Sequence, residues 1–399
     1  MKPAGLYIHI PFCTQKCRYC DFYSGTQSGI FRPYRDNPRL IERILHDVRL
    51  FQKRYAIVGW KTVYIGGGTP SLLSTNDVRR LAEALCTAQS FPIIEFTVEA
   101  NPEDIHPEWL AACAESGVTR LSVGVQSFED AVLEQNGRRG SGAKTRSALH
   151  TIKQHWKGAI SCDLIAGLSG QRAESLAADV EELIAIGVEH ISLYGLCSDE
   201  PLPAAREDFI SEQLQDNFLR LKAGGYVQYE VSNFSLHDRY RSEHNQIYWR
   251  MEPYIGVGPA ACGTFIFEEV GGGFAGAERF TGIQNTARWM EAEERSSVYM
   301  QETLDRDTFL EEVLLMGFRL ADGIDRTQFS RRFGADICTY IGKTLSRWER
   351  AGQCRVLPDR VHLTEEGLFF LNRFLIDALL ELEGDNAPAE QKRKESNVR

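Results

Sequence analysis

The sequence predicts an α/β protein: a partial (β/α)6 barrel followed by a small, mostly helical, winged-helix-like domain. Six strand-like apolar runs alternate with helical patterns in the first half of the chain, which favours an open barrel over the closed form with eight strands. The composition, 43% hydrophobic and 25% charged, is typical of globular proteins. We therefore predict a barrel over 1–235, a connecting segment over 236–300, a helical domain over 301–382, and a polar, disordered tail over 383–399.

The predicted strands are short runs that are rich in β-branched and aromatic residues. They are Leu6–Ile10, Thr62–Ile65, Ile94–Glu99, Arg120–Val125, Ile160–Ile165 and His190–Tyr194. Between them apolar residues recur at the spacing of one helix face. Strands that alternate with helices form a parallel sheet, and the carboxyl ends of such strands carry the chemistry of barrel proteins. Functional residues should therefore come directly after these strands.

Polar residues do occupy these positions. Gly66–Pro70 is a glycine-rich turn after the second strand, where the backbone can approach a ligand closely. The third and fourth strands lead to Glu99 and Gln126, and the fifth strand contains Asp163. Arg138 follows twelve residues after Gln126. Each residue alone is more often an ordinary surface group, but their shared position predicts a site at one end of the sheet.

The first strand leads directly into three cysteines with the spacing C-x3-C-x2-C. They are Cys13, Cys17 and Cys20. Structural zinc sites usually need four ligands, and the next cysteine along the chain is Cys86. Three thiolates can instead hold a cube of four irons and leave one iron open to a substrate. A partial zinc site or three unrelated thiols are the alternatives.

The composition also restricts the class of protein. A net charge of −10 argues against a general nucleic-acid binder, which normally carries a basic face. No apolar run approaches the roughly 20 residues of a membrane span, and Met1–Gly5 leads straight into a strand without a signal peptide. Ten scattered cysteines suit a reducing compartment. We expect a cytoplasmic protein; peripheral membrane association and a homodimer stay open.

The cysteine spacing resembles the signature of the radical S-adenosylmethionine superfamily. Within that superfamily several segments resemble the coproporphyrinogen III oxidase-like family. They are Tyr7–Ser24, Gly66–Pro70, Gly124–Phe128, Asp163–Leu168, Tyr229–Phe234 and His244–Trp249. The resemblance covers residues 5 to 380. It implies a radical S-adenosylmethionine barrel with a 4Fe–4S cluster on Cys13, Cys17 and Cys20.

The same resemblance implies contacts to S-adenosylmethionine. Tyr7 and Gly67 would contact the molecule bound at the cluster, with Glu99 beside them. Other residues match a second such site in the oxidase: Gly68, Thr69, Gln126, Arg138 and Asp163. Charged and bidentate side chains of this kind suit amino, carboxylate and ribose groups. An electron passed from the cluster to the sulfonium gives a 5′-deoxyadenosyl radical, so the cofactors carry the hard chemistry. The sequence assigns no catalytic residue.

Two functions are possible within this family. The oxidase converts coproporphyrinogen III to protoporphyrinogen IX by oxidative decarboxylation, and it has a fourth cysteine two residues after the third. This sequence has Phe22 there. Phe22 and the motif over 244–249 resemble instead a branch of haem chaperones, which is thought to bind haem and hand it to apo-haemoproteins such as respiratory enzymes.

We predict the haem chaperone, with haem as its cargo. His244 would offer an imidazole to the haem iron, while Tyr248 or Trp249 would stack on the porphyrin. A core histidine beside packing aromatic residues is the alternative explanation of this motif. The oxidase is the alternative function, and a plain zinc or structural protein is a third hypothesis.

Overall fold

The computed structural model describes residues 3–26, 38–87, 91–197 and 202–386. Up to residue 223, each long strand is followed by one or two helices, and two short strands follow the first: β1 (Ala4–Ile10), β2 (Phe12–Cys13), β3 (Gly25–Thr26), α1 (Pro38–Arg54), β4 (Trp60–Gly67), α2 (Thr75–Thr87), β5 (Glu95–Ala100), α3 (Pro107–Glu115), β6 (Arg120–Gln126), α4 (Asp130–Gln135), α5 (Gly142–His155), β7 (Ala159–Ala166), α6 (Ala173–Ile186), β8 (His190–Gly195) and α7 (Ala204–Ala223).

The remaining elements mix short strands with helices: β9 (Val227–Gln228), β10 (Asn233–Ser235), α8 (Glu243–Trp249), β11 (Tyr254–Val257), β12 (Cys262–Glu268), β13 (Phe274–Gly282), α9 (Thr286–Glu291), β14 (Tyr299–Leu304), α10 (Arg306–Gly317), β15 (Ile324–Asp325), α11 (Arg326–Phe333), α12 (Ile337–Arg350), β16 (Cys354–Val356), β17 (Arg360–Leu363), α13 (Glu365–Phe369) and α14 (Leu371–Asn386). The predicted tail covers residues 383–399. Residues 383–386 belong to α14, which corrects its predicted start, and residues 387–399 lie outside the described residues.

The six predicted strands are present as β1, β4, β5, β6, β7 and β8. They pair in that order, and every pair is parallel, which confirms the partial barrel. Side chains alternate between the two faces of each strand. On β6 the buried Leu121, Val123 and Val125 alternate with Arg120 and Ser122, which line the interior of the barrel. Among the described residues the sheet stays open, with β14 at one edge and β9 at the other.

The sheet continues beyond the barrel, which the sequence did not predict. β11 pairs in parallel with β1, and β12, β13 and β14 follow in antiparallel order to complete a sheet of 12 strands. The segment predicted as a connection therefore extends the main sheet. The helical domain predicted over 301–382 does not start with a helix. Residues 301–304 belong to β14, in which Met300 pairs with Thr281 of β13, and the first helix begins at Arg306. The other predicted domain boundaries stay predictions.

A separate hydrophobic core holds the carboxyl-terminal region together. The helices α10–α14 pack around Phe309, Phe318 and Phe374, beside a sheet in the order β15-β17-β16. The strand pair β16–β17 and its helices agree with the mostly helical, winged-helix-like prediction. The Thr364 hydroxyl caps α13 by accepting a hydrogen bond from the Gly367 N–H at 3.2 Å, and α14 follows α13 directly. In the part of the chain that the structure describes, no helix is both long and apolar enough to cross a bilayer.

Candidate functional site

A cavity of about 500 Å³ opens at the carboxyl ends of the barrel strands and continues into the barrel. Ten of the predicted site residues line it: Cys13, Cys17, Cys20, Gly67, Gly68, Thr69, Glu99, Gln126, Arg138 and Asp163. The structure therefore brings together residues from the first, second, third, fourth and fifth strand ends. The remaining predicted residues lie outside this lining: Tyr7, His244, Tyr248 and Trp249.

The cysteine loop, residues 13–24, crosses the mouth of this cavity. At its base β2 pairs with β3. Its far side is held by the segment after α4, since the Gln15 amide donates to the Gly137 carbonyl at 2.8 Å and the Arg18 backbone N–H donates to the Asn136 carbonyl at 3.0 Å. The three thiols are free of disulfides, and Cys13 Sγ accepts a hydrogen bond from Thr69 at 3.4 Å. The loop is thus fixed at both ends with its thiols towards the cavity.

Glu99 is held on the opposite wall by two donors. Tyr64 donates its hydroxyl to Oε1 at 2.8 Å, and the Gly67 N–H donates to Oε2 at 3.1 Å. A Cβ atom at Gly66 would lie 2.8 Å from Oε1, so only glycine leaves room for the carboxyl group. Burial raises the pKa of Glu99 to about 7, with a smaller contribution from Asp163. This carboxyl group is therefore suited to face a cationic ligand, whose charge would favour its ionised form.

Gln126 and Arg138 converge where the backbone of β6 is irregular. The pairing of β6 with β7 shifts register between Gly124 and Gln126, and Gln126 has a φ of +68°, in the left-handed region. Arg138 donates to Asn101 Oδ1 at 2.9 Å and to the Gly124 carbonyl. A Cβ at Gly124 would lie 2.9 Å from the Gln126 amide nitrogen and 3.1 Å from the guanidinium. Glycine thus allows both side chains to enter the cavity.

Asp163 lies deeper in the barrel. Its Oδ2 accepts a hydrogen bond from the Ser122 hydroxyl at 3.1 Å. Burial raises the pKa of this carboxyl group, whereas hydrogen bonds from Ser192 and Ser122 and the charge of Arg120 oppose the shift. Asp163 therefore adds a second carboxylate to the polar interior.

The His244–Trp249 motif forms α8, which packs at the amino ends of β4 and β5. His244 is fully buried, with Nδ1 2.7 Å from Thr62 Oγ1 and Nε2 2.6 Å from the Tyr248 hydroxyl. Its backbone N–H donates to Glu95 at 3.0 Å. Burial lowers the pKa of His244 to about 3, so its ring is neutral at physiological pH. Both ring nitrogens have partners, and the haem contact of His244, Tyr248 and Trp249 stays a prediction.

The cavity is also lined by residues that were not predicted from the sequence, among them Tyr64, Asn101 and Arg120. Asn101 was visible as the polar residue after the third strand. The signal for Arg120 was its spacing, since it lies an even number of residues before Gln126 on one strand. Tyr64 likewise lies an even number of residues, two, before Gly66 on β4. Alternation along each strand, read backwards from its end, could have found them.

Comparison with known proteins places these features in a family. A family model described as the Radical SAM superfamily matches residues 7–183, and one described as the HemN C-terminal domain matches residues 304–370. The Heme chaperone HemW of Lactococcus lactis subsp. lactis (strain IL1403) is 30% identical over 394 residues, which span 94% of this chain and 98% of that protein. This chain belongs to the HemN-like family of radical S-adenosylmethionine proteins.

Other members of the HemN-like family align as completely. The Heme chaperone HemW of Escherichia coli (strain K12) is 30% identical over 94% of this chain and 98% of its own length. The protein of the same name from Bacillus subtilis (strain 168) is 29% identical over 92% and 96%. The solved structure of coproporphyrinogen III oxidase (HemN) from Escherichia coli has a TM-score of 0.74 at 19% identity, and covers 94% of this chain and 90% of that one. That likeness shows the shared fold.

Membership in the HemN-like family implies a 4Fe–4S cluster and S-adenosylmethionine, and the residues fit both groups. Three free thiols line one cavity, and the hydrogen bond from Thr69 to Cys13 Sγ is of the kind that tunes cluster potentials. Within the described ranges, no three His, Cys, Asp or Glu side chains converge on a point for one metal ion. A cluster does not require this, because each thiolate binds a different iron. The half-buried Glu99 suits a cationic cofactor.

Proposed function

We propose that this protein is a haem chaperone, which binds haem and transfers it to apo-haemoproteins such as respiratory enzymes. The observation that carries the proposal is the similarity, at 30% identity over 94% of the chain, to proteins named Heme chaperone HemW. Phe22, at the position of the oxidase's fourth cysteine, supports it. A cytoplasmic location belongs to the same proposal.

In this proposal the cavity holds the cofactors. Cys13, Cys17 and Cys20 bind the cluster, which supplies an electron of low potential when it is present. The residues proposed to contact S-adenosylmethionine are Tyr7, Gly67, Gly68, Thr69, Glu99, Gln126, Arg138 and Asp163. Of these, Tyr7 lies on β1, and its hydroxyl is hydrogen-bonded to His9 Nδ1 at 3.0 Å. The chain's part is to bind, orient and shield these groups from water.

The test compares haem transfer with decarboxylation. The anaerobically reconstituted full chain should bind haem in a Soret titration and pass it to apomyoglobin. In parallel, the protein with coproporphyrinogen III, dithionite and S-adenosylmethionine should give no vinyl-bearing product, whereas the Escherichia coli oxidase should give it under the same conditions. Product formation by this protein would establish the oxidase instead, and failure to bind haem would exclude the chaperone.

His244 requires its own test, because iron ligation through either ring nitrogen would break one of its two ring hydrogen bonds. If His244 binds iron, His244→Ala should weaken haem binding at least about tenfold and change the Soret spectrum. The folded fraction should be measured for each sample, since removing a buried side chain also destabilises the protein. The exposed His150→Ala is the matched control. An unchanged haem affinity in folded His244→Ala would remove this residue from the haem site.

A further inference from the structure

The cavity continues below the predicted cofactor residues to a floor at the amino end of β6. Arg120 begins this strand and Gln126 ends it. At about 3.3 Å per residue, their Cα atoms lie roughly 20 Å apart along the strand. Both side chains line the same cavity. The floor is therefore remote from the cysteine loop. Among the predicted site residues, Asp163 has its pKa affected by the charge of Arg120.

Arg120 is a buried cation without a carboxylate partner. It is 4% exposed, and its guanidinium makes one hydrogen bond, from Nη1 to the Tyr240 carbonyl at 2.8 Å. Within the described ranges no acidic oxygen lies within 4.0 Å of it. A guanidinium has five N–H donors, and the other four of Arg120 make no hydrogen bond within the described ranges. A buried charge in this state is costly, and an anion would relieve it.

A second arginine shows what the same fold does with an internal cation. Arg295 is also 4% exposed, and both oxygens of Asp47 accept its hydrogen bonds at 2.7 and 2.8 Å. Arg332, at 8% exposed, lies outside the cavity and donates to two backbone carbonyls at 3.1 and 3.2 Å. Arg120 differs from both, since it combines burial, access to the cavity and unused donors.

None of the neighbouring polar groups pairs with Arg120; Asp163 lies beyond ion-pair distance, although the charge of Arg120 affects the pKa of its carboxyl group. The Ser122 hydroxyl donates to Asp163 at 3.1 Å, and the Ser242 hydroxyl donates to Glu95 at 3.3 Å. His190 has its ring nitrogens 2.7 Å from Ser161 Oγ and 2.8 Å from Tyr229 Oη. Their hydrogen-bonding capacity is used within the protein. Arg120, by contrast, still has N–H donors that a ligand at the floor can accept. Because a guanidinium binds a carboxylate in a bidentate manner, a carboxylate is the ligand group that suits Arg120.

We propose that Arg120 binds a carboxylate at the floor of the cavity, and that this carboxylate is a propionate of haem. This inference rests on the proposed haem binding. S-adenosylmethionine also carries a carboxylate. The molecule bound at the cluster has its amino-acid end there, at the opposite end of β6, and the test below separates haem from a second such molecule. Haem carries two propionates on one edge, so the porphyrin can lie within the cavity with that edge towards Arg120.

The test combines one substitution with one chemical change of the ligand. Haem and haem dimethyl ester, whose propionates are neutral, are titrated into the reconstituted full chain and into Arg120→Gln. We expect haem to bind the variant about 10- to 100-fold more weakly than the wild type, and the ester to bind both proteins with equal affinity. Such non-additivity shows that the two groups interact directly. The exposed Arg146→Gln, which loses its pair with Glu182, is the matched control and should bind haem as the wild type does.

Each other result overturns the inference in a distinct way. If Arg120→Gln weakens haem and ester equally, the residue acts on the fold and not on a propionate. If haem binding is unchanged while S-adenosylmethionine binding falls, the carboxylate belongs to the cofactor. If the wild type binds neither haem nor ester, the proposed function itself fails. Unfolding by urea should show Arg120→Gln at least as stable as the wild type without ligand, because the substitution removes an unpaired buried charge.

Discussion

Glu230 is a carboxyl group that the fold removes from water. It is 1% exposed, and its Oε1 accepts a hydrogen bond from the Ser232 N–H at 3.1 Å. Burial raises its pKa from 4.5 to about 7, against the smaller, opposite effect of that hydrogen bond. The native protein therefore holds a proton between about pH 4.5 and 7 that the unfolded chain releases. This group's contribution favours the folded state at low pH and is lost as the pH rises through 7.

We expect Glu230→Gln to stabilise the protein at pH 8 but not at pH 4.5. The glutamine keeps the hydrogen-bond acceptor and removes the charge, so the gain in free energy of unfolding should grow between these pH values to at most about 3 kcal/mol. Urea unfolding of both proteins at pH 4.5, 6 and 8 measures it. The exposed Glu212→Gln should differ from the wild type equally at every pH. A gain for Glu230→Gln that does not change with pH would contradict the burial argument.

Residues at strand ends could be predicted, whereas buried partners could not. Glu99, Gln126 and Asp163 follow from the rule that parallel strands present their carboxyl ends together. The burial of His244 depends on Thr62 and Glu95, which are 182 and 149 residues away in sequence. A pattern within a short stretch of sequence cannot indicate contacts between residues so far apart along the chain. The motif predicted a haem ligand, with a core histidine as the alternative, and the structure shows a buried histidine with both ring nitrogens engaged. The haem contact stays a prediction.

The cysteine loop is the element on which cofactor binding depends. Its outer side contacts the segment after α4 through Gln15 and Arg18, and that segment continues into Arg138. Ordering the loop therefore also fixes one edge of the site that contains Arg138. The loop carries exposed trypsin sites at Lys16 and Arg18, so its order can be measured directly.

We expect cluster reconstitution to slow tryptic cleavage after Lys16 and Arg18 by about tenfold or more. Three thiolate bonds to one cluster suppress the local opening that a protease needs. Mass spectrometry of timed digests of the apo and reconstituted proteins gives the rates. Cys17→Ala, treated identically, should be cleaved at the apo rate. Equal rates with and without the cluster, alongside unchanged cleavage after the exposed Lys157, would show that the loop is ordered without its metal.

Strands were predicted less well where they lie outside the barrel. The six barrel strands are apolar runs flanked by helices, and such runs carry their own signal. β14 is different, because five of its six residues are not buried and only its pairing with β13 makes it a strand. Short strands of this kind depend on tertiary context more than on local preference. The extension of the sheet thus could not be read from Met300 and its neighbours.

At the scale of the whole molecule, one buried ion pair joins the barrel to the extension of its sheet. Arg295 lies just before β14, and it pairs with Asp47 on α1 at 2.7 and 2.8 Å. Tyr299 donates its hydroxyl to the same carboxylate at 2.6 Å. Asp47 is 0% exposed. The pair therefore fixes the two parts relative to each other away from solvent.

We expect Asp47→Ala to lower the free energy of unfolding by about 3 to 5 kcal/mol, since it leaves a buried guanidinium without its anion. The double variant Asp47→Leu/Arg295→Met removes both charges and should lose much less. Guanidinium chloride unfolding of the three proteins measures the difference. If the double variant is as unstable as Asp47→Ala, packing and not charge accounts for the loss.

The position of β1 has a consequence for how the protein is made. β1 lies between β4 and β11, and its Gly5–Ile8 side pairs with Tyr254–Val257. At roughly 5 to 20 residues per second, a ribosome needs about 12 to 50 s between these two segments. Throughout that interval the strand that leads into the cysteine loop has an unpaired edge. The strand that leads into Cys13, Cys17 and Cys20 is thus paired on both edges only after Tyr254–Val257 have been synthesised. Iron and sulfide are therefore best delivered to a chain that is nearly complete.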